Sequence, residues 1–357
     1  MASSLTFRQP SDSSPKSFLP HYEKMTIDIH AHFVPADSLR VAGEIGQCQG
    51  LKLGQNERGR DVLMRDARPF LTQPKAEFSD LDLRLSIMDT QNVDMQTLSP
   101  ASSYFFYWMA AEASLEYAGW LNDQLAEAVA KQPKRFVAHG SVPMQDPVKA
   151  GLEMERAMTK LGLRGVEVAS NINGLYFDDP SFMPFWEAAQ ALDALIFVHP
   201  NLVVGADRMK DYNLANLIGN PIDTSLAFAK LIFGGVLERY PRLKFLVAHA
   251  GGFLPYTWGR LERGYRVQDS TTRKISKPPS EYVKLLHFDT ITHSAMALEY
   301  LVANFSAEKV LLGSDYPYDM GDPEPVQSLH QTKISANDLA AISHTNAQRL
   351  LGIGTQT

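Results

Sequence analysis

The chain holds a single cysteine, Cys48, among 357 residues. That excludes an intramolecular disulfide framework and any metal site built on several thiolates, and it points to a reducing, cytoplasmic setting. No basic run stands out. With 34 Lys and Arg against 40 Asp and Glu the net charge is −6, so nothing marks a nucleic-acid partner. No apolar stretch approaches the roughly 18 residues that a membrane-spanning helix needs. The N-terminus lacks the apolar core of a secretory signal, and residues 1–24, rich in Ser and Pro, read as a flexible arm. A Gly-rich phosphate turn after an early strand is also missing, which argues against a doubly wound open sheet. Disorder is excluded as well: 45% hydrophobic and 21% charged residues are ordinary globular values.

From Met25 onward, short β-rich runs alternate with helical stretches. The runs are Met25–His30, Val93–Leu98, Phe136–Val142, Gly165–Val168, Leu195–His199, Lys244–His249, Leu286–Thr290 and Val310–Ser314. Apolar strands separated by helix-length segments imply βαβ units and a parallel sheet. Eight such units are the count of a closed (β/α)₈ TIM barrel, an α/β fold. Helices are expected over Ser114–Lys131, Pro147–Leu161, Pro180–Leu192, Leu226–Tyr240 and Asn337–Leu351, each ended by a nearby Pro or Gly or by loss of the pattern. The barrel is read over residues 25–352, with 353–357 as a tail. Residues 36–80 form an insertion after the first strand, too long to be a bare loop. On a barrel it would lie over the C-terminal face, where barrel enzymes keep their sites.

Asp28-Ile29-His30-Ala31-His32 closes the first strand. Strand side chains alternate, so His30 and His32 point the same way and can converge on one metal. His199, His249 and Asp315 each sit at or just past the end of an apolar run. Singly, each could be a satisfied core residue. Four strand tips of one barrel converge on one mouth, so together they read as one site. Imidazoles and a carboxylate suit zinc and other divalent first-row ions, which bring the pKa of a bound water to about 7. A histidine not needed as a ligand can then move protons. His139 lies mid-strand and reads as structural. His287 and His293 lie in and just after the seventh strand, within reach of the rim. Asp289 is a candidate partner for a ligand. Tyr104 to Trp108 follow the second strand, placed either to stack on a substrate or to pack.

His30-x-His32, His199, His249 and Asp315, in this order at strands 1, 5, 6 and 8, resemble the amidohydrolase superfamily. Ile27-Asp28-Ile29-His30-Ala31-His32-Phe33-Val34-Pro35, Phe197-Val198-His199-Pro200, His249-Ala250-Gly251-Gly252 and Leu312-Gly313-Ser314-Asp315-Tyr316-Pro317 are similar to the branch of aminocarboxymuconate-semialdehyde decarboxylase and its relatives. The similarity spans roughly residues 25–352.

The resemblance implies a metal-dependent, non-oxidative decarboxylase that releases carbon dioxide from an aromatic or conjugated unsaturated acid. Its ligands would be His30, His32, His199 and Asp315, holding one divalent ion, zinc first and manganese second, with no organic cofactor. His249 would transfer protons. The substrate carboxylate would be held by Arg65, chosen over Arg58, Arg60 and Arg68, and by Arg260, which reaches the neighbouring subunit's site in this branch and so implies a homodimer. Asn201-Leu202 after Pro200 depart from the Trp-Asp of aminocarboxymuconate enzymes, so mechanism carries over better than substrate. A metal-dependent hydrolase or hydratase is the alternative on the same scaffold.

Overall fold

The computed structural model describes residues 25–269 and 274–353. The expected arm over 1–24, and the tail beyond residue 353, lie outside them. In chain order the strands are β1 (Ile27–Phe33), β2 (Leu51–Gln55), β3 (Asp61–Arg65), β4 (Arg68–Thr72), β5 (Met95–Pro100), β6 (Phe136–Ala138), β7 (Gly165–Ala169), β8 (Leu195–His199), β9 (Lys244–Val247), β10 (His287–Asp289) and β11 (Val310–Leu311). The helices are α1 (Ser38–Ile45), α2 (Leu81–Gln91), α3 (Ala111–Lys131), α4 (Pro147–Thr159), α5 (Met183–Ala191), α6 (Asn220–Phe233), α7 (Val236–Arg239), α8 (Leu254–Val267), α9 (Pro279–Val283), α10 (Ala295–Phe305), α11 (Pro325–His330), α12 (Ala336–Ala340) and α13 (Asn346–Leu351).

Two parallel ladders, β1-β5-β6 and β7 through β11, make the barrel wall. Gly140 bridges to Val166 on one side, and Ala31 bridges to Tyr316 on the other. The Ile29 N–H donates to the Leu312 carbonyl at 2.9 Å across the second seam. Eight parallel strands thus close on themselves. Ile27, Ile29, Leu195, Phe197, Leu246 and Leu311 cluster inside. Outside, Trp186, Phe185, Phe228 and Phe245 bury the helices that follow β7 to β9. Gly165 stands at φ +145°, where a Cβ would lie 2.1 Å from the Leu195 carbonyl oxygen, so only glycine lets β7 approach β8 this closely.

Several strands are shorter than their apolar runs. β9 stops at Val247 and β11 at Leu311, before the polar tips. The cause is local: His249 and Asp315 take left-handed backbone, φ +54° and +61°, which ends a ladder. The second barrel strand runs Met95–Pro100 rather than Val93–Leu98, and the third ends at Ala138. The expected helix over Leu226–Tyr240 is α6 and α7, broken at Gly234-Gly235. Gly235 has φ +76°. α4 begins as expected at Pro147, capped by Asp146, which accepts from the Lys149 N–H at 3.1 Å. Residues 36–80 carry α1 and an antiparallel β2-β3-β4 sheet. They touch the loops leaving β5 and β11, through Arg65 on Trp108 and Lys75 on Asp319. Among the described residues no helix is long and apolar enough to cross a membrane.

Candidate metal centre and active site

His30 and His32 enter the barrel mouth from β1, His199 from the end of β8, and His249 and Asp315 from the turns after β9 and β11. One donor atom each from His30, His32, His199 and Asp315 lies within 4.8 Å of the others, and all four residues are buried. His30 Nε2 is 3.0 Å from His32 Nε2. Asp315 Oδ1 is 3.2 Å from the first and 3.0 Å from the second. Donors about 2.1 Å from a shared first-row ion stand about 3.0 to 3.4 Å apart at octahedral or tetrahedral angles, so these separations fit one ion.

Each imidazole is oriented from behind. Nδ1 of His30 meets Asp289 Oδ2 at 2.7 Å, that of His32 the Pro100 carbonyl at 3.0 Å, and that of His199 the Pro200 carbonyl at 3.0 Å. A proton on Nδ1 leaves the Nε2 lone pair for a metal. Burial lowers His32, and burial with neighbouring imidazoles lowers His199 far below the usual histidine range. Both are therefore neutral and ready to ligate. Burial alone would raise Asp315, but the His30 charge and hydrogen bonds from His249, His30 and His32 hold it well below the usual carboxylate range.

His30 behaves differently. Burial opposes its charge, yet the Asp315 charge and the Asp289 and Asp315 hydrogen bonds push it up to about 10. Without metal its imidazole is protonated at neutral pH, and a metal must displace that proton. Metal affinity is therefore expected to rise with pH, by up to about tenfold per unit, from neutrality toward the His30 value and then level. Calorimetric titration with zinc near neutrality, in buffers of different ionisation enthalpy, should show release of about one proton per ion. Zero release would show that His30 is already neutral before the ion binds.

Two buried carboxylates hold the strained tips. Asp289 accepts from the His249 N–H at 2.8 Å, the Ala250 N–H at 2.7 Å and the Ile291 N–H at 3.0 Å, besides His30. Asp28 accepts from Ser314 Oγ at 2.6 Å and the Ser314 N–H at 3.1 Å, and from Gln96 Nε2 at 2.8 Å. Arg84, fully buried, donates to Gln96 Oε1 and to the His32 carbonyl, both at 2.6 Å. Burial lowers it to about 10, so it keeps its charge at neutral pH. Glu167 of β7 lies 3.9 Å from His32 Nδ1, and burial lifts it well above the usual carboxylate range, so it is a neutral acid. Asp28, Arg84 and Glu167 were not among the expected site residues. The only signal for Asp28 and Glu167 is an acidic residue inside an apolar strand.

The centre opens into a cavity of about 1100 Å³. His199, His249, Asp315, Tyr318 and His293 line it, with an apolar wall that includes Leu202, Phe253 and Met296. His249 Nε2 is 3.5 Å from Asp315 Oδ2, its ring is 4.9 Å from that of His199, and its Nδ1 has no partner. Among the described residues no Lys or Arg lines the cavity, nor does any residue of 36–80. Arg65 lays its guanidinium on the Trp108 ring, 3.6 Å from the centroid. Arg260 is exposed on α8, outside this chain's cavity. Tyr104 to Tyr107 are buried in packing rather than facing the cavity. His139 is buried against Ser99 and Phe197, as a structural residue should be. His287 sits at the start of β10, away from the mouth, bonded to the Phe245 carbonyl.

A closed parallel barrel with a His-x-His pair, two further histidines and an aspartate at its mouth defines a metal-dependent enzyme of the amidohydrolase type. An amidohydrolase family model matches residues 27–353, and the chain belongs to that family. It is 35% identical over 329 residues to 2-amino-3-carboxymuconate-6-semialdehyde decarboxylase of Dictyostelium discoideum, covering 92% of this chain and 89% of that one. The crystal structure of 5-carboxyvanillate decarboxylase from Sphingomonas paucimobilis superposes with a TM-score of 0.80 at 27% identity, over 92% of this chain and 99% of that one. The fold is shared with dihydroxybenzoic acid decarboxylase of Polaromonas sp. JS666, solved with bound manganese, at a TM-score of 0.76 and 24% identity, over 92% and 97% of the two chains. Within the family this protein is a decarboxylase, a metal-dependent carboxy-lyase.

Proposed function

We propose that His30, His32, His199 and Asp315 hold one divalent ion and that His249 protonates the ring or diene carbon bearing the departing carboxylate. The observation that carries this is the set of four convergent donors with His249 Nε2 beside Asp315 at the cavity floor. The substrate class is an aromatic or conjugated acid of the kind the relatives' names describe. When bound, the ion withdraws charge from a substrate oxygen and fixes its position. His249 Nε2 gives its proton to the carbon, the carbon–carboxylate bond breaks, and its electron pair returns to the conjugated system as carbon dioxide leaves. Solvent in the cavity then reprotonates His249. The Tyr318 phenol, raised by burial, stays neutral and can donate a hydrogen bond. Zinc is our first assignment from the His₃Asp donor set, and manganese, which the Polaromonas enzyme holds, is the second.

An anionic substrate needs a cation, and among the described residues no Lys or Arg lines the cavity. We assign that role to Arg260 of a second copy. Tyr256, one helical turn before Arg260 on α8, is 81% exposed, and Met296 across the rim is 79% exposed. Apolar side chains left bare beside a charged one support a homodimer packed across this rim. Arg65 would join the clamp by leaving the Trp108 face, at a cost of about 1 kcal/mol. The exposed free Cys48 supports a cytoplasmic setting.

Metal-loaded protein is expected to release one carbon dioxide per acid consumed and to stop when the ion is chelated. Loss of substrate with water added and no carbon dioxide would move the reading to a hydrolase or hydratase. Mixing His249→Ala with Arg260→Ala subunits should restore activity, since each mixed dimer would hold one native site. No recovery in verified mixed dimers would remove the crossing arginine.

A further inference from the structure

The metal centre grips one end of a substrate, and the rest of the cavity wall must select the remainder. Of the three histidines that line the cavity, His199 and His249 belong to the centre. The third, His293, does not. It stands between β10 and α10, exposed to the cavity, with φ +52°. That backbone region costs an L residue energy and suits glycine better.

The loop around His293 is fixed on both sides. The Thr292 N–H donates to the Thr290 carbonyl at 2.8 Å, and Thr292 Oγ1 donates to the Ser294 carbonyl at 2.9 Å. Thr290 Oγ1 donates to the Gly313 carbonyl at 3.2 Å, tying the loop to the strand tip that carries Asp315. The imidazole itself has no hydrogen-bond or ion-pair partner among the described residues. The backbone that carries this ring is therefore fixed on the cavity wall, and the hydrogen-bonding capacity of the ring is unspent.

The surroundings decide what it would meet. Its neighbours on the lining, Thr292 and Ser294, are neutral hydroxyl residues, and among the described residues no Lys or Arg lines the cavity. A carboxylate held by one imidazole would lose hydration without a matching cation. A hydroxyl would not, because a neutral imidazole either accepts from it or donates to it.

Resting on the decarboxylase reading, we propose that His293 is a specificity-determining residue that binds a ring hydroxyl of a hydroxylated aromatic acid.

The test uses the full metal-loaded chain and hydroxybenzoates that differ by one ring hydroxyl remote from the carboxylate. Carbon dioxide release and calorimetric binding are both read. The native protein should favour the acid with the extra hydroxyl by about tenfold in KM and in affinity, the scale of one neutral hydrogen bond. His293→Gly should abolish that preference, leave kcat for the simpler acid unchanged, and hold or raise Tm, because glycine relieves the left-handed backbone. His293→Asn, which tolerates this backbone and keeps a hydrogen-bonding group, should restore part of the preference. A preference that survives His293→Gly, or is lost only together with Tm, would overturn the proposal, as would a native protein that treats both acids alike. A preference seen in binding with no carbon dioxide release would overturn the proposed reaction and keep the role of His293. No binding of either acid would overturn both.

Discussion

His249→Ala is expected to keep its metal and lose about a thousandfold in kcat, the scale of a positioned general acid. His249 is not one of the four convergent donors, yet its Nε2 stands 3.5 Å from Asp315 Oδ2 and its ring faces the cavity. Removing it takes away the proton donor while His30, His32, His199 and Asp315 keep their places. The measurement is kcat with metal content determined on the same sample. Full metal with near-native kcat would place the proton elsewhere. Loss of metal together with rate would make His249 a ligand. A deuterium-labelled product formed in heavy water by the native protein, at the carbon that lost the carboxylate, would show that this carbon takes its proton from an exchangeable donor.

Asp289→Asn is expected to weaken metal binding by about a hundredfold, although Asp289 is outside the donor set. Its two oxygens accept four hydrogen bonds, two each: His30 Nδ1 and the His249 N–H on one, the Ala250 and Ile291 N–H groups on the other. An asparagine amide must turn its NH₂ toward one of these pairs. Facing Ala250 and Ile291, it sets donor against donor. Facing His30, it drives the ring to the tautomer with its proton on Nε2, which cannot ligate. Either way the backbone at His249 and Ala250, at φ +54° and +53°, loses a support that offsets its strain. Metal affinity by competition with a chelator and Tm of the metal-free protein are the readouts, and both should fall. Unchanged affinity would show that the Asp289–His30 bond does not set the tautomer.

Much of the site was legible because its residues sit at strand ends. An apolar run that stops at a histidine or aspartate is a local pattern, and a parallel barrel brings such ends to one mouth. The strand lengths were less legible. The runs through His249 and Ser314 look like strand to their ends, since nothing local tells that His249 and Asp315 turn left-handed. Their partners explain the turn, and those partners are remote: Asp28 bonds Ser314 from 286 residues away. Arg84 was missed because a buried arginine looks in sequence like an exposed one, and Glu167 left only one sign, an acidic residue inside an apolar strand. The insertion was legible as structured by its length, but not as an antiparallel sheet that stays off the cavity lining.

The class of fold and the four residues that converge at the mouth could be read from the order of residues alone. Both follow from short-range facts, the two-residue period of a strand and the residue type at its tip. Tertiary structure alone decided the protonation and orientation of that set. His30 is raised because it faces two carboxylates, while His199 is lowered by burial and then by the imidazoles beside it. The Asp289 that orients His30 lies 259 residues further along the chain. Only closure of the barrel places such groups within 3 Å, and electrostatic and hydrogen-bond energies depend on that distance, not on separation along the chain.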